Sequence, residues 1–325
     1  MKKTLIILIC VLAVALAVLL GVLGSLLSGQ DTPDESTAPS QSQSQTTLPD
    51  ETTAPETTVP PTTESIPPET TENLAGWVEN EDGTLSYRDE TGAFLTGWIE
   101  TELGKYWLDE EGHPKTGWIM TDTARLYFDE TGLMAVGFRE VDGIERYFTS
   151  DGNYVPLVNP WNEVPADYEM NLVELEGEQV DFTCRDALLQ MLIDCREAGH
   201  KCPLNSVYRS IETQEYLWNA RYNNYIKEGY SAEDAKKLTW QKVAYPGTSE
   251  HHTGLAVDII GTDEMYAWFY AHSWEYGFIV RYPEDKIDVT GIMYEPWHFR
   301  YVGKEMAKEV YDSGLTLEEY LDSIR

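Results

Sequence analysis

The sequence predicts a C-terminal α+β domain, a small antiparallel sheet with helices, preceded by a solenoid of β-hairpin repeats and an N-terminal transmembrane helix. Three observations predict it. An almost unbroken apolar run over 5–27 is long enough, at ~1.5 Å per residue in a helix, to span a ~30 Å hydrocarbon core. Gly-aromatic pairs then recur about every twenty residues, a spacing that fits short stacked hairpins. Further on, helical and strand signals follow one another without strict alternation, which favours α+β over a parallel α/β sheet. The expected divisions are 1–27 for a cytoplasmic stub and anchor, 28–73 for a linker, 74–156 for the repeats and 157–325 for the last domain.

Composition bounds the partners. The formal charge of -33 argues against nucleic acid, because like charges repel. Of the four cysteines, Cys10 lies in the apolar run, which leaves Cys184, Cys195 and Cys202 without paired zinc-ribbon spacing. A Cys195–Cys202 bridge and free thiols are both open.

Lys2 and Lys3 ahead of the apolar run would stay in the cytoplasm, with the rest of the chain outside. The expectation is therefore a single-pass membrane protein with its N-terminus inside and the membrane as one partner. A cleavable signal peptide is the rival reading, although no clear small-x-small site closes the run. From about Ser28 to Asn73 the chain is Thr, Ser, Pro, Gln and acid, with no Lys or Arg. Such a segment cannot bury enough apolar surface to offset its ordering entropy, so it reads as an extended stalk.

The repeats come next. Gly76-Trp77, Gly97-Trp98, Gly117-Trp118 and Gly137-Phe138 open four units, and Tyr87, Tyr106-Trp107, Tyr127-Phe128 and Tyr147-Phe148 follow within them. Each unit closes on a Gly-containing turn, such as Asp89-Glu90-Thr91-Gly92, where glycine supplies the positive φ of a tight turn. A unit this short cannot hide its own aromatic face, so neighbours must stack. These units resemble the choline-binding-type cell-wall-binding repeats, whose aromatic residues form cages between hairpins. The resemblance implies that Trp77, Trp98, Tyr106, Trp107, Trp118 and Tyr127 hold a cell-wall polymer, choline-bearing or not. The same aromatics could equally build the solenoid core, and both roles are compatible.

In the last domain, Cys184 to Gly199 and Ser210 to Glu228 read as helices. Ser231 with Asp234 starts a third, Thr262 caps a fourth running to about Tyr276, and Thr316 with Glu319 makes a capping box for the last. Asn205–Tyr208, Leu255–Ile260, Phe278–Arg281 and Trp297–Val302 read as short strands.

Within this frame His251 and Asp258 stand seven residues apart. On one straight strand they would lie on opposite faces, ~23 Å apart, so the segment must fold back, and Thr253-Gly254 is the natural place. Asp258 sits among Leu255-Ala256-Val257 and Ile259-Ile260, where a carboxylate is costly unless paired or bound to metal. Pro296 marks a kink that lets Glu295 and His298 face one pocket. The plainer alternative pairs Glu295 with Arg300 and packs His298 under Trp297. Arg209, where a strand gives way to a helix, is placed to clamp a carboxylate or polarised carbonyl. Two histidines and an aspartate with an open fourth position match a catalytic zinc site, and a neighbouring carboxylate suits a general base.

Four motifs in order, Ser206 to Gln214, Pro246 to Asp258, Tyr276 to Pro283 and Glu295 to Gly303, resemble the VanY-type zinc D-alanyl-D-alanine carboxypeptidases of peptidase family M15. The likeness covers roughly Asn159 to Ser313. It implies a fold of the hedgehog/DD-peptidase type, with one Zn2+ per catalytic domain held by His251, Asp258 and His298. Glu295 would be the general base and Arg209 would stabilise the oxyanion or hold the substrate. Ser249, Gln214, Tyr208 and Trp297 would line the pocket, and His252 would sit either behind the residues that line it or at its rim. The implied substrate is a bacterial peptidoglycan stem peptide that loses its terminal D-Ala. A D,D-dipeptidase, a wall endopeptidase and an inactive wall-adhesion protein are the alternatives.

Overall fold

The computed structural model describes residues 75–325, so the expected anchor and linker lie outside the described residues. Among those residues no helix is long and apolar enough to cross a membrane. The longest has 17 residues and carries Glu212, Arg221 and Lys227. The expected single-pass membrane location is corrected accordingly.

Four two-stranded hairpins come first. β1 (Gly76–Glu79) pairs with β2 (Leu85–Arg88), β3 (Gly97–Thr101) with β4 (Gly104–Leu108), β5 (Gly117–Met120) with β6 (Arg125–Phe128), and β7 (Gly137–Val141) with β8 (Ile144–Phe148). Register sets the aromatic of each opening pair directly across from a second ring: Trp77 opposite Tyr87, Trp98 opposite Trp107, Trp118 opposite Tyr127, Phe138 opposite Tyr147. Cross-strand aromatic pairs of this kind are the stabilising unit of a hairpin. Rings also reach between hairpins, Trp77 to Tyr106 at 4.9 Å and Trp118 to Phe148 at 5.8 Å. Backbone bonds tie the stack, with the Met134 N–H donating to Lys105 O and the Tyr154 N–H to Arg125 O, each at 2.9 Å.

A fifth hairpin, β9 (Leu172–Leu175) with β10 (Glu178–Asp181), leads into α1 (Phe182–Glu197). The α+β domain continues with β11 (Leu204–Ser206), α2 (Ile211–Lys227), α3 (Ala232–Trp240), β12 (Ala256–Ile259), α4 (Asp263–His272), β13 (Phe278–Val280), a one-turn α5 (Ile287–Thr290), β14 (His298–Tyr301), α6 (Lys304–Ser313) and α7 (Leu317–Ser323). The sheet is antiparallel throughout in the order β11-β12-β14-β13. One face packs against α1 and α4 through Leu188, Met191, Leu192, Phe269 and Phe299. The Ser210, Ser231, Thr262 and Thr316 caps all form, and Thr316 with Glu319 completes its box. Cys184, Cys195 and Cys202 are free and buried, and burial pushes the Cys195 thiol up to about 12.

The hairpins dock on the α+β domain through buried charge. Arg125 on β6 donates from Nη1 to Asp181 Oδ1 at 3.0 Å, donates from Nη2 to Asp181 Oδ2, and reaches Glu169 O at 2.9 Å. Asp181 in turn caps α1 through the Thr183 N–H, and its own N–H donates to Gly254 O at 3.0 Å.

Candidate metal centre and cleft

β12 is buried along its length and carries Asp258 between Ser206 on β11 and His298 on β14. Direct cross-strand pairing brings Asp258 and His298 together. His251 arrives from the other side, on a 3-10 turn over Glu250–Thr253 that ends at Gly254 with φ 70. That left-handed residue reverses the chain where the fold-back is expected, and its N–H donates to His251 O. A Cβ at Gly254 would stand 2.9 Å from both Asp181 N and Leu172 Cδ2, so glycine is required twice over.

The result is a buried cluster in which ligand atoms of His251, Asp258 and His298 all lie within 4.8 Å of one another. His251 Nε2 is 3.3 Å from Asp258 Oδ2, and His298 Nδ1 is 3.1 Å from Asp258 Oδ1. Of the opposite ring nitrogens, His251 Nδ1 is anchored 2.7 Å from Val207 O, while His298 Nε2 faces Glu250 Oε2 at 3.5 Å, an ion-pair distance without a formed hydrogen bond. Outward anchoring of this kind orients imidazoles for a metal. Two imidazoles and one carboxylate suit zinc, with room for a further ligand on the cleft side. The donor set therefore fits the ion.

Glu295 Oε2 is 3.6 Å from His298 Nδ1, which puts a carboxylate beside the cluster, as expected from the Pro296 kink. Burial pushes Glu295 up to about 7, only partly opposed by His298. Burial alone would lower His298, yet Asp258 and Glu250 outweigh it and hold the ring up to about 9. Asp258 is raised by burial but held well below the carboxylate range by His251 and His298. Arg209 donates from Nη1 to Gln214 Oε1 and from Nη2 to Ser206 Oγ, both at 2.9 Å, and Nη2 is 3.5 Å from Asp258 Oδ2.

These groups open on a cleft of about 370 Å³, which Ser249, Gln214 and Trp297 also line. Tyr208 does not line it; its backbone N–H bonds to Gln179 O. His252 is 4% exposed, with Nδ1 2.7 Å from Arg209 O, and so takes the first of its two expected places, behind a residue that lines the cleft. Arg300 pairs with Glu250, not Glu295.

Sequence reasoning missed Glu250. It is 1% exposed, receives Arg281 Nε and Arg300 Nη1 at 2.8 Å each, and backs His298. Its place directly before His251 is a signal of a kind, but its partners lie 31 and 50 residues away.

Comparison with known proteins agrees with this geometry. The VanY family profile, described as D-alanyl-D-alanine carboxypeptidase, matches residues 177–304. An Enterococcus faecalis D-alanyl-D-alanine carboxypeptidase is 42% identical over 175 residues, covering 51% of this chain and 65% of the relative, just under two thirds of its length. Among solved structures, VanYB in complex with D-alanine-D-alanine is similar with a TM-score of 0.51 and 40% identity, over 52% of this chain and 98% of that one. A vancomycin-resistance D,D-pentapeptidase VanY mutant in complex with Zn(II) aligns with a TM-score of 0.49 and 41% identity, over 51% of this chain and 97% of that one. With a relative 40% identical and matched along almost its whole length, the chain belongs to the VanY family of D-alanyl-D-alanine carboxypeptidases.

Proposed function

We propose that residues 157–325 form a zinc-dependent D,D-carboxypeptidase that releases D-Ala from peptidoglycan stem peptides ending in D-Ala-D-Ala. The observation that carries this reading is the buried His251–Asp258–His298 cluster with Glu295 and Arg209 beside it, all facing one cleft. Zinc bound there supplies a Lewis acid that polarises the scissile carbonyl and activates water near neutral pH. Glu295 takes the proton from the attacking water on a carboxylate oxygen and returns it to the leaving amine. Its position near the middle of the pH scale suits both directions of transfer. The Arg209 guanidinium, fixed by Gln214 and Ser206, faces the charge that develops on the carbonyl oxygen and needs no reorganisation to do so.

Residues 74–156 would hold the enzyme on a wall polymer. Ring faces at two of the expected positions are already covered by the chain's own cations, Lys115 Nζ 4.6 Å from the Trp107 centroid and the Arg146 guanidinium 5.3 Å from that of Trp118. That favours a neutral saccharide over a quaternary ammonium at Trp107 and Trp118.

The test is product analysis on a pentapeptide ending in D-Ala-D-Ala. Free D-Ala from the wild type, with none from a Glu295→Gln variant that still binds zinc, supports the reading. Release of the D-Ala-D-Ala dipeptide instead would move the cut one bond inward, and equal inactivity of both forms would favour adhesion.

A further inference from the structure

The cleft is electrically lopsided. Its carboxylates, Asp258 and Glu295, are both at the metal end. Along α2 the lining continues through Leu217, Ala220, Arg221 and Asn224, the spacing of one helix face, and Lys242, just after α3, lines the cleft as well. Apart from Arg209, Asp258 and Glu295 around the metal cluster, the charged lining is two cations, Arg221 and Lys242, with no further carboxylate, in a chain with 56 acidic and 23 basic residues. Arg221 stands out further. The other ten arginines are each engaged by a carboxylate, a carbonyl or a ring, whereas Arg221, among the described residues, has no such partner. Among the described residues Lys242 has no ion pair either.

We infer that Arg221 and Lys242 read a carboxylate on the acyl side of the substrate, about three residues before the cut. The inference rests on the carboxypeptidase reading above. Gln214, which holds Arg209, marks the reacting end of the cleft. Arg221 follows it by seven residues of helix, about 10 Å. An extended peptide covers that length in about three residues, at ~3.3–3.6 Å each. A carboxypeptidase substrate has a single residue beyond the scissile bond, so its terminal carboxylate ends well short of Arg221. Only the acyl side is long enough. The preferred substrate class is therefore an anionic peptide, and a bare D-Ala-D-Ala dipeptide leaves this end of the cleft empty.

The experiment compares acetyl-Glu-Lys-D-Ala-D-Ala with its Gln counterpart on the zinc-loaded full chain, following D-Ala release. The wild type is expected to prefer the Glu peptide about three- to tenfold in kcat/KM, through KM, and the preference shrinks as salt screens it. In the Arg221→Gln/Lys242→Gln double variant the ratio of the two peptides falls to about one, and in Arg221→Glu it inverts. Equal use of both peptides by the wild type, or an undiminished ratio in the double variant, overturns the inference. Absence of D-Ala from both peptides is a separate result, which strikes at the carboxypeptidase reading itself.

Discussion

Glu250→Gln is the substitution with the largest expected effect on the metal centre that replaces no metal ligand. The Glu250 carboxylate is sealed from solvent, and so are the Arg281 and Arg300 side chains that bracket it. Arg281 keeps a second carboxylate, Glu318, at 2.9 and 2.6 Å, and Arg300 keeps the Pro156 carbonyl at 2.7 Å. With the glutamate present, two guanidiniums meet two carboxylates. With glutamine, one buried positive charge is left over. Breaking a buried pair by removing one partner costs about 3–5 kcal/mol. The amide oxygen can still accept one of the two bonds, so about 3 kcal/mol is expected. Burial alone would raise Glu250, but Arg281 and Arg300 outweigh it and hold the carboxyl well below its ordinary 4.5. A depressed acid contributes its stability above the unfolded value, so the loss should be complete at neutral pH and smaller only well below pH 4.5. The same carboxylate backs His298, and loss of such a partner typically weakens metal binding about 10–100-fold. Urea unfolding of the metal-free protein reads the first effect, and chelator competition for zinc reads the second. An unchanged unfolding midpoint together with zinc affinity within about twofold of the wild type would refute the reasoning.

Three further outcomes follow from the same geometry. In the metal-free protein, Glu295 is raised from 4.5 to about 7, so the folded state holds its proton more tightly than the unfolded one. Stability should fall by about 3 kcal/mol as pH rises from 4.5 to 7, and Glu295→Gln should flatten that slope in pH-dependent unfolding. His298, raised from 6.5 to about 9, must shed its proton to bind metal, so apparent zinc affinity should climb about tenfold per pH unit between 7 and 9, with proton release seen by an indicator dye; a flat profile would count against His298 as ligand. Gly254→Ala combines a strained φ of 70 with contacts at 2.9 Å and should both lower the unfolding temperature and weaken zinc uptake, whereas Gly314→Ala, with φ 66 and nothing within 4 Å, should lower stability alone.

Much of the α+β domain was legible because its signals are local. Ser231 three residues before Asp234, and Thr316 before Glu319, state their helix starts outright, and both caps form. The fold-back at Gly254 follows from the His251–Asp258 spacing alone. What stayed hidden depends on distant partners or on atypical chemistry. The β9–β10 hairpin turns on Glu176-Gly177, with φ 53 at Glu176, where Asn or Asp would have announced the turn. α6 starts at Gly303 without a side-chain cap, so its amphipathic face was the only signal. Tyr208 was placed in the pocket by resemblance, but β11 stops at Ser206 and the chain there turns to meet β10. The expected wall-ligand aromatics do pair and stack, and the twenty-residue spacing gave the number of hairpins; what the rings hold it does not give.

The Arg125–Asp181 pair changes how the two halves of the described chain should be understood. A tethering module is expected to be detachable, with its deletion moving the enzyme without altering it. Here the third hairpin supplies Arg125, 4% exposed, to a fully buried Asp181. Asp181 also starts α1 and holds the Gly254 carbonyl, three residues beyond His251. Deleting the hairpins would leave that carboxylate buried without its cation, which costs several kcal/mol next to the turn that presents a metal ligand. The fourth hairpin, with the residue Val155 that follows it, packs against α6 and α7 as well, since Val155, Phe138 and Tyr147 join the cluster around Val302, Met306 and Leu317. The isolated 157–325 segment should therefore bind zinc more weakly than the longer chain, even when offered a soluble peptide that needs no tether. Chelator competition on the two forms decides it, and equal affinities would mean that the hairpins are passengers after all.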